Sequence, residues 1–266
     1  MQKYPSISLI ITTYNRKDAL ELVLMSVMQQ TVLPNEVIIA DDGSKEDTAQ
    51  MIKEYAQKFP VPLKHCWQED DGFKLAMIRN KAIAMSNSLY IIMIDGDMVL
   101  GKNFVKSHQK VMRPNQFVQG SRVLLSEKTT QKALKNKFIN FNWTTKGILN
   151  RFNAMNIPLL SPVFSKRKLH KEGVRGANMA FWKEDVIKVN GFNEEFVGWG
   201  REDSEFVLRL LNNGTVRYNL KFGGVAFHLY HPENSRNLLN KNDLLLEKAE
   251  AEKSKFCQKG INQYLK

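Results

Sequence analysis

The first hundred residues alternate short apolar runs with longer segments in which apolar residues recur at helical spacing. The short runs are rich in β-branched residues, and turn residues separate them from the helical segments, which is typical of buried strands. Alternation of this kind predicts an α/β fold in which helices cover both faces of a mostly parallel sheet. The predicted strands are residues 8–12, 37–40, 63–67 and 90–94, and the predicted helices are residues 18–30, 47–59 and 75–85.

Polar clusters directly follow three of the predicted strands. They occupy residues 12–16, 41–44 and 95–97. In open α/β sheets, ligands bind beyond the carboxyl ends of the strands. We therefore expect these three clusters to form one site.

The pattern changes after Gly101. Residues 128–171 are irregular and basic, and we expect a mobile, partly helical insertion there. Regular structure is predicted to resume with a strand at 178–182, followed by a helix from Asp203 or Ser204 that closes at Asn213 and Gly214. The charged helical tail from residue 240 is expected to pack on the body, with membrane contact as the alternative. The predicted divisions are residues 1–101, residues 102–238 with an insertion at about 127–172, and a tail of 239–266.

Composition limits where such a chain can work. Its 266 residues are 43% hydrophobic, enough for one large domain or two closely packed ones. No apolar run approaches the roughly 20 residues of a membrane span, and no secretory signal precedes the first strand. The two cysteines, Cys66 and Cys257, lack metal-type spacing and suit a reducing compartment. We expect a cytoplasmic protein, either soluble or peripheral on the inner face of the plasma membrane.

The chain carries a formal net charge of +12, concentrated between Lys128 and Arg175. Such a balance suits a nucleic acid, an anionic membrane or a phosphate-bearing substrate. No sequence signature of a nucleic-acid module accompanies it, so no nucleic acid is expected. We favour anionic headgroups or a lipid-diphosphate acceptor, and a solvated basic surface is the plainer alternative.

Two aspartates form a candidate metal site. Asp95 and Asp97 follow an apolar strand and flank Gly96, so their side chains can lie on the same side of the chain. Paired carboxylates are hard oxygen ligands suited to Mn²⁺ or Mg²⁺. His228 follows the strand-like run 224–227, and we rank it above His231 as a further ligand.

Residues 191–206 combine glycines, aromatic residues and adjacent carboxylates. The apolar face of Trp199 suits the C–H side of a sugar, and carboxylates beside it can bind hydroxyls or accept a proton from one. This pattern predicts a carbohydrate acceptor site. The alternative is a glycine-rich loop that precedes a helix, with Asp203 as the N-cap.

In this order the motifs resemble an inverting GT-A glycosyltransferase of family 2, especially the bacterial chondroitin-polymerase type. The C-terminal half is similar to the acceptor module of β-1,4-galactosyltransferases. The resemblance runs from Ser6 to Glu233 without the basic insertion, and it includes Asp71-Gly72-Phe73 and Arg79-Asn80. It implies a UDP-sugar donor, a Mn²⁺ or Mg²⁺ cofactor, and single-displacement transfer with inversion to a saccharide or lipid-linked saccharide acceptor.

The resemblance also implies roles for individual residues. The implied donor-binding residues are Thr12, Tyr14, Arg16, Asp41, Arg79, Asp95, Gly176 and Asn178. The implied metal ligands are Asp95, Asp97 and His228. The implied acceptor-binding residues are Trp199, Gly200 and Glu202, with Asp203 as the general base. One departure is Arg201, where galactosyltransferases carry glycine.

Three other readings compete with a glycosyltransferase. The first is a nucleotide- or sugar-binding module without turnover. Such a module would not need the candidate catalytic residues, and this chain contains all of them, Asp95, Asp97, Asp203 and His228, which argues against this reading. A basic membrane- or nucleic-acid-associated scaffold is supported by charge alone. Nucleotidyl or phosphoryl transfer is the enzymatic alternative, although the P-loop signature is absent. The sequence leaves the donor sugar, the accepting hydroxyl and polymerisation open.

Overall fold

The computed structural model describes residues 4–232 and 235–265. Residues 1–3, 233–234 and 266 lie outside the described part, and they include Glu233, where the resemblance ends. In chain order the first elements are β1 (Ile7–Thr13), α1 (Lys17–Met28), β2 (Glu36–Asp41), α2 (Glu46–Ala56), β3 (Leu63–Trp67), α3 (Leu75–Met85) and β4 (Tyr90–Asp95). These four strands are parallel, as predicted, and they lie side by side in the order β3-β2-β1-β4.

The second half of the chain extends the same sheet. Its elements are β5 (Met98–Leu100), α4 (Phe104–Val111), β6 (Gln116–Gln119), β7 (Val123–Leu124), α5 (Glu127–Asn136), α6 (Ser161–Phe164), β8 (Lys166–Lys168), β9 (Asn178–Trp182), α7 (Lys183–Lys188), α8 (Glu202–Asn212), β10 (Val216–Asn219), β11 (Ala226–His228) and α9 (Leu239–Ala251). The full order of the large sheet is β3-β2-β1-β4-β9-β6-β10-β8, and β9 pairs antiparallel with both of its neighbours. Strands β5, β11 and β7 form a small separate sheet.

Both faces of the central strands are buried. Leu9 and Ile11 belong to one apolar cluster, whereas Ile10, between them, belongs to the cluster on the opposite face. This arrangement explains why the central strands are continuous apolar runs rather than alternating patterns. Truncating a side chain such as Ile10 to alanine typically costs about 2–5 kcal/mol.

Strand register brings the polar clusters to one edge of the sheet. Thr12 lies opposite Asp95, and Thr13 lies opposite Asp41. Gly96 is required at this edge, because a Cβ there would come within 2.5 Å of the Thr12 carbonyl oxygen. The carboxyl ends of β1, β2 and β4 therefore meet, as expected from the sequence.

Helix α8 is anchored by a buried ion pair. Arg209 forms two 2.7 Å contacts with Glu205 and also donates to the carbonyls of Val189 and Gly191. The Phe206 ring stacks on Phe192 at 4.2 Å. These contacts hold the start of the helix, and with it the adjoining loop 197–201, against the body.

Two local expectations need correction. The N-cap of α8 is Arg201, so Asp203 lies inside the first turn and is not the cap. The basic insertion is more regular than predicted, because it contains α5, α6 and β8, and Ser126 caps α5 by accepting a hydrogen bond from Thr129 N–H.

The tail packs on the body through α9, where Asn242, Leu246 and Ala249 are buried. Within the described residues, no helix is long and apolar enough to cross a bilayer.

Candidate active site

Antiparallel pairing of two short strands brings His228 next to residues 95–97, which contain the two predicted aspartate ligands and are called the metal motif below. His228 on β11 lies opposite Met98 on β5, and Leu229 N–H donates to the carbonyl of Asp97 at 2.9 Å. The His228 Nε2 atom is 3.7 Å from Asp97 Oδ1, and the His231 Nε2 atom is 3.4 Å from Asp97 Oδ2. Asp97, His228 and His231 thus offer three ligand atoms within 4.8 Å of one another.

The side chains of this cluster have lone pairs available for a metal ion. Burial, with Arg122 and His231 nearby, lowers the pKa of His228 to about 3, so its imidazole is neutral at pH 7 and keeps a lone pair. Burial and Asp95 raise the pKa of Asp97. Its Oδ1 atom is buried and has no hydrogen-bond partner, a deficit that a cation would remove.

His231 is oriented for the same task. Its Nδ1–H donates to the Pro232 carbonyl at 2.6 Å, which leaves the lone pair on Nε2, the atom that faces Asp97. The donor set of one carboxylate and two imidazoles fits Mn²⁺, which accepts oxygen and nitrogen ligands. Sequence reasoning ranked His231 below His228, whereas the structure places both at Asp97.

Asp95, also predicted as a metal ligand, is not part of the three-residue cluster and has other partners. Its Oδ1 accepts a hydrogen bond from Thr12 Oγ1 at 3.2 Å and is 3.6 Å from an Arg79 guanidinium nitrogen. The Arg79 guanidinium also contacts Glu202 at 3.1 Å, and the side chain is only 2% exposed. Arg79 therefore joins the metal-motif edge of the sheet to the start of α8.

Gly176 lies where Arg79 approaches the backbone. A Cβ at this position would come within 2.8 Å of the guanidinium. Its backbone N–H donates to Asp203 Oδ2 at 2.8 Å, and Ser204 N–H donates to Asp203 Oδ1 at 2.7 Å. Two backbone amides thus orient the Asp203 carboxylate beside Arg79.

Of the two acidic residues at the start of α8, Glu202 is buried and Asp203 is half-buried. Desolvation raises the pKa of Asp203, although Arg79 and the Gly176 amide oppose the rise. Burial and the adjacent Asp203 also raise the pKa of Glu202. A raised pKa makes the Asp203 carboxylate a stronger base than an ordinary exposed aspartate.

The other predicted donor-binding residues have contrasting surroundings. Tyr14 is exposed and donates to Asp70 at 3.0 Å, and Arg16 lies 3.9 Å from Asp97. Asp41, by contrast, is fully buried, with its two oxygens contacting Ser44 N–H and His65. Asn178 is also buried, and its amide contacts His108, Ser121 and Gly224. Asp41 and Asn178 support the loops behind the site, and direct contact of either with a donor stays a prediction.

The loop of residues 197–201, which is predicted to bind the acceptor and is called the acceptor loop below, contains residues in a backbone conformation that favours glycine. Gly200 has φ +104° and Arg201 has φ +76°, the left-handed region that L-residues avoid. Asn242 of the tail donates to the carbonyls of Val197 and Gly200, and Arg236 lies over the Trp199 ring at 5.1 Å. The tail therefore covers part of the predicted acceptor site, and Trp199 remains 38% exposed.

Replacing Arg201 by glycine is expected to be better tolerated than replacing it by alanine. Both changes remove the 2.5 Å contact of Arg201 with Asp243, a partly exposed pair worth at most about 1 kcal/mol. Only glycine also relieves the positive φ, which costs an L-residue roughly 1–2 kcal/mol. Urea unfolding should therefore show the glycine variant to be the more stable one. Equal stability of the two variants would contradict a strained Arg201.

Arg122 is a candidate site residue that the sequence analysis missed. It is half-buried, its Nε atom has no hydrogen-bond partner, and Asp95 and Asp97 both act on its charge. Burial and the nearby Arg175 lower the pKa of Arg122. The two guanidinium groups therefore lie close enough to each other to repel. Arg122 follows the end of β6, and a polar residue after a strand is the kind of signal that identified the other site residues. The sequence analysis did not predict a strand at residues 116–119, so it did not consider Arg122.

Two protein-family models and several known proteins match this chain. Residues 8–173 match the model of glycosyl transferase family 2, and residues 161–232 match that of the N-terminal domain of galactosyltransferase. A chondroitin synthase of Pasteurella multocida is 30% identical over 251 residues, which cover 87% of this chain and 25% of the synthase. The chain spans 25% to 35% of the length of the first chondroitin synthases it matches.

Solved structures show the same fold. A mannosyltransferase from Pyrobaculum calidifontis, in complex with GDP-Man and Mn²⁺, aligns with a TM-score of 0.63 at 16% identity, covering 94% of this chain and 65% of the other. TarS 1–349 from S. aureus in complex with UDP aligns with a TM-score of 0.61 at 15% identity, covering 97% and 68%. With a family model that matches well over half of its length, this chain belongs to glycosyl transferase family 2.

Proposed function

We propose that this protein is a metal-dependent, inverting glycosyltransferase. It would transfer a hexose or N-acetylhexosamine from a UDP-sugar to a saccharide or lipid-linked saccharide, giving a β-linkage in a cell-surface polysaccharide or oligosaccharide. The observation that carries the proposal is the position of Arg79, whose guanidinium contacts both Asp95 and Glu202. Arg79 would thus hold the proposed donor side of the site, at Asp95, next to the proposed acceptor side, at Glu202.

The donor would bind at the edge formed by the metal motif. Asp97, His228 and His231 would hold the divalent cation. The structurally similar mannosyltransferase from Pyrobaculum calidifontis was solved with GDP-Man and Mn²⁺ bound. When bound, such an ion stabilises the negative charge that develops on a departing diphosphate. Arg16 and Arg122 lie beside Asp97 and would share that task.

The acceptor would bind against Trp199, with Glu202 contacting its hydroxyl groups. Asp203 would accept the proton of the attacking hydroxyl, because the Gly176 and Ser204 amides hold its carboxylate in place. In a single displacement the hydroxyl oxygen bonds to the anomeric carbon as the bond to the diphosphate breaks, so an α-linked donor yields a β-linked product. Buried, unpaired Cys66 and Cys257 support a cytoplasmic site for this reaction.

Ligand-dependent stabilisation tests this function. We expect Mn²⁺ together with UDP, or with a UDP-sugar, to raise the melting temperature, because a ligand that binds only the native state stabilises it. The panel contains UDP-galactose, UDP-N-acetylgalactosamine, UDP-glucose and UDP-glucuronate, with EDTA in place of Mn²⁺ as the control. GDP-mannose tests the base preference. A shift with GDP-mannose alone would reject a UDP-sugar donor, and no shift with any nucleotide sugar would reject the proposed donor site.

A further inference from the structure

The segment of residues 158–171 has an inverted distribution of polar and apolar side chains. Ser161 and Ser165 are buried and lie 3.4 Å apart, oxygen to oxygen. The apolar residues between and around them face outward: Leu159 is 87% exposed, Val163 73% and Leu169 76%. Burying such side chains is normally favourable, so this exposure needs an explanation.

The same segment is strongly basic. It contains no acidic residue, and β8 adds Lys166, Arg167 and Lys168 directly after the apolar residues. A cavity of about 330 Å³ opens beside it, with Arg167 on one wall and Lys110 and Arg113 on another. Apolar and cationic groups therefore share one small surface.

This surface is held in a defined shape by the body. Strand β8 pairs with β10, and Ser165 Oγ accepts a hydrogen bond from Lys221 N–H at 3.0 Å. The Phe164 ring packs edge-on against Phe222 at 5.0 Å between centroids, and Ile157 N–H donates to the Phe222 carbonyl. These anchors fix the backbone from both sides, so the outward direction of the apolar side chains is built into the fold.

We propose that residues 158–171 dock this protein on an anionic membrane surface, with Leu159, Val163 and Leu169 inserted at the headgroup boundary. Apolar side chains flanked by Lys and Arg are the combination that binds such interfaces, because insertion and attraction to anionic lipid add together. A second copy of the chain is a poorer occupant. Strand β8 lies at the edge of the sheet, and pairing two such edges would place like charges together.

Vesicle co-sedimentation tests the proposal on the whole chain. Wild type is expected to bind phosphatidylcholine vesicles that contain about 30% phosphatidylglycerol, and to bind pure phosphatidylcholine far less. Raising NaCl from low concentration to about 0.15 M should weaken binding, since salt screens the headgroup charge. The Leu159→Ser, Val163→Ser, Leu169→Ser triple variant should lose binding. Its control, Leu89→Ser with Leu244→Ser, replaces two leucines elsewhere that are 62% and 67% exposed, and this variant should still bind.

A charge variant keeps the test valid if the serine variant fails to fold. Replacing Lys166, Arg167 and Lys168 by glutamine should lower binding on the order of a hundredfold, at about 1 kcal/mol for each charge. Replacing the exposed Lys53, Lys58 and Lys255 by glutamine is the control for net charge alone.

Three outcomes would overturn the proposal. They are equal binding to neutral and anionic vesicles, equal loss in the control variants, and no binding by wild type. In the last case, sedimentation velocity that shows a dimer, converted to monomer by the serine variant, would assign the surface to a second copy instead. Because the test measures lipid binding without a donor, its failure leaves the proposed transfer reaction untouched.

Discussion

Changing Asp203 to asparagine is expected to lower kcat about 10²–10⁴-fold, the usual contribution of a general base. The amide cannot accept the proton of the attacking hydroxyl, but its oxygen can still accept a hydrogen bond from Gly176 N–H, which now bonds to Asp203 Oδ2. Donor binding should therefore be nearly intact. Steady-state kinetics with the best UDP-sugar, together with donor affinity measured by calorimetry, would separate the two effects.

Asp185→Asn is the matched control for Asp203→Asn. Burial also raises the pKa of Asp185, but this residue lies on α7, away from the metal motif and the acceptor loop. The control should keep wild-type kcat and a similar melting temperature. Lost donor binding with unchanged residual turnover in Asp203→Asn would contradict the role of base.

The pH profile provides an independent check of the same assignment. A base must be ionised, and burial raises the pKa of Asp203. As the pH is lowered, activity should therefore begin to fall at a pH above the ordinary aspartate pKa. The acidic side of the pH–activity curve should thus lie at higher pH than an exposed aspartate would give. An acidic limb at or below the ordinary aspartate value would contradict a buried base.

The second large effect is expected from Asp97→Asn. The carboxylate lies between His228 Nε2 and His231 Nε2, so its loss removes the only charged ligand of that cluster in the described chain. Altering groups that merely support a metal ligand costs about 10–100-fold in affinity, and loss of a ligand should exceed about 100-fold. Titration of Mn²⁺ in the presence of UDP, followed by calorimetry, would measure this.

Asp47→Asn controls for the loss of one negative charge, because Asp47 is exposed on α2 and pairs with Lys17, away from the histidines. Its affinity for Mn²⁺ should match wild type. Single His228→Gln and His231→Gln variants rank the imidazoles: similar losses support a three-residue site, and a loss confined to His228 removes His231. Unchanged Mn²⁺ dependence in Asp97→Asn would remove Asp97 itself from the metal site.

The sequence by itself determined the first half of the fold. Strand β3 and helix α3 begin and end at the predicted residues. The spacing of apolar residues and the turn residues between segments determine local structure within a few positions of the chain, so the sequence alone shows them. The meeting of the polar clusters followed from the same pattern, since parallel strands place their carboxyl ends together. Family 2 membership was equally recognisable from five ordered motifs.

Only the tertiary structure decided which of these side chains can act. His231 joins Asp97 because β11 returns antiparallel to β5, a contact across more than a hundred residues that no local pattern encodes. The same holds for the buried Arg79, which contacts Asp95 and Glu202 from opposite halves of the chain. Asp41 was predicted to bind the donor, but both of its carboxylate oxygens already have protein partners, Ser44 N–H and His65. Residue type and spacing specify which groups are available, but long-range pairing and burial determine their partners, their charge and their access to a ligand.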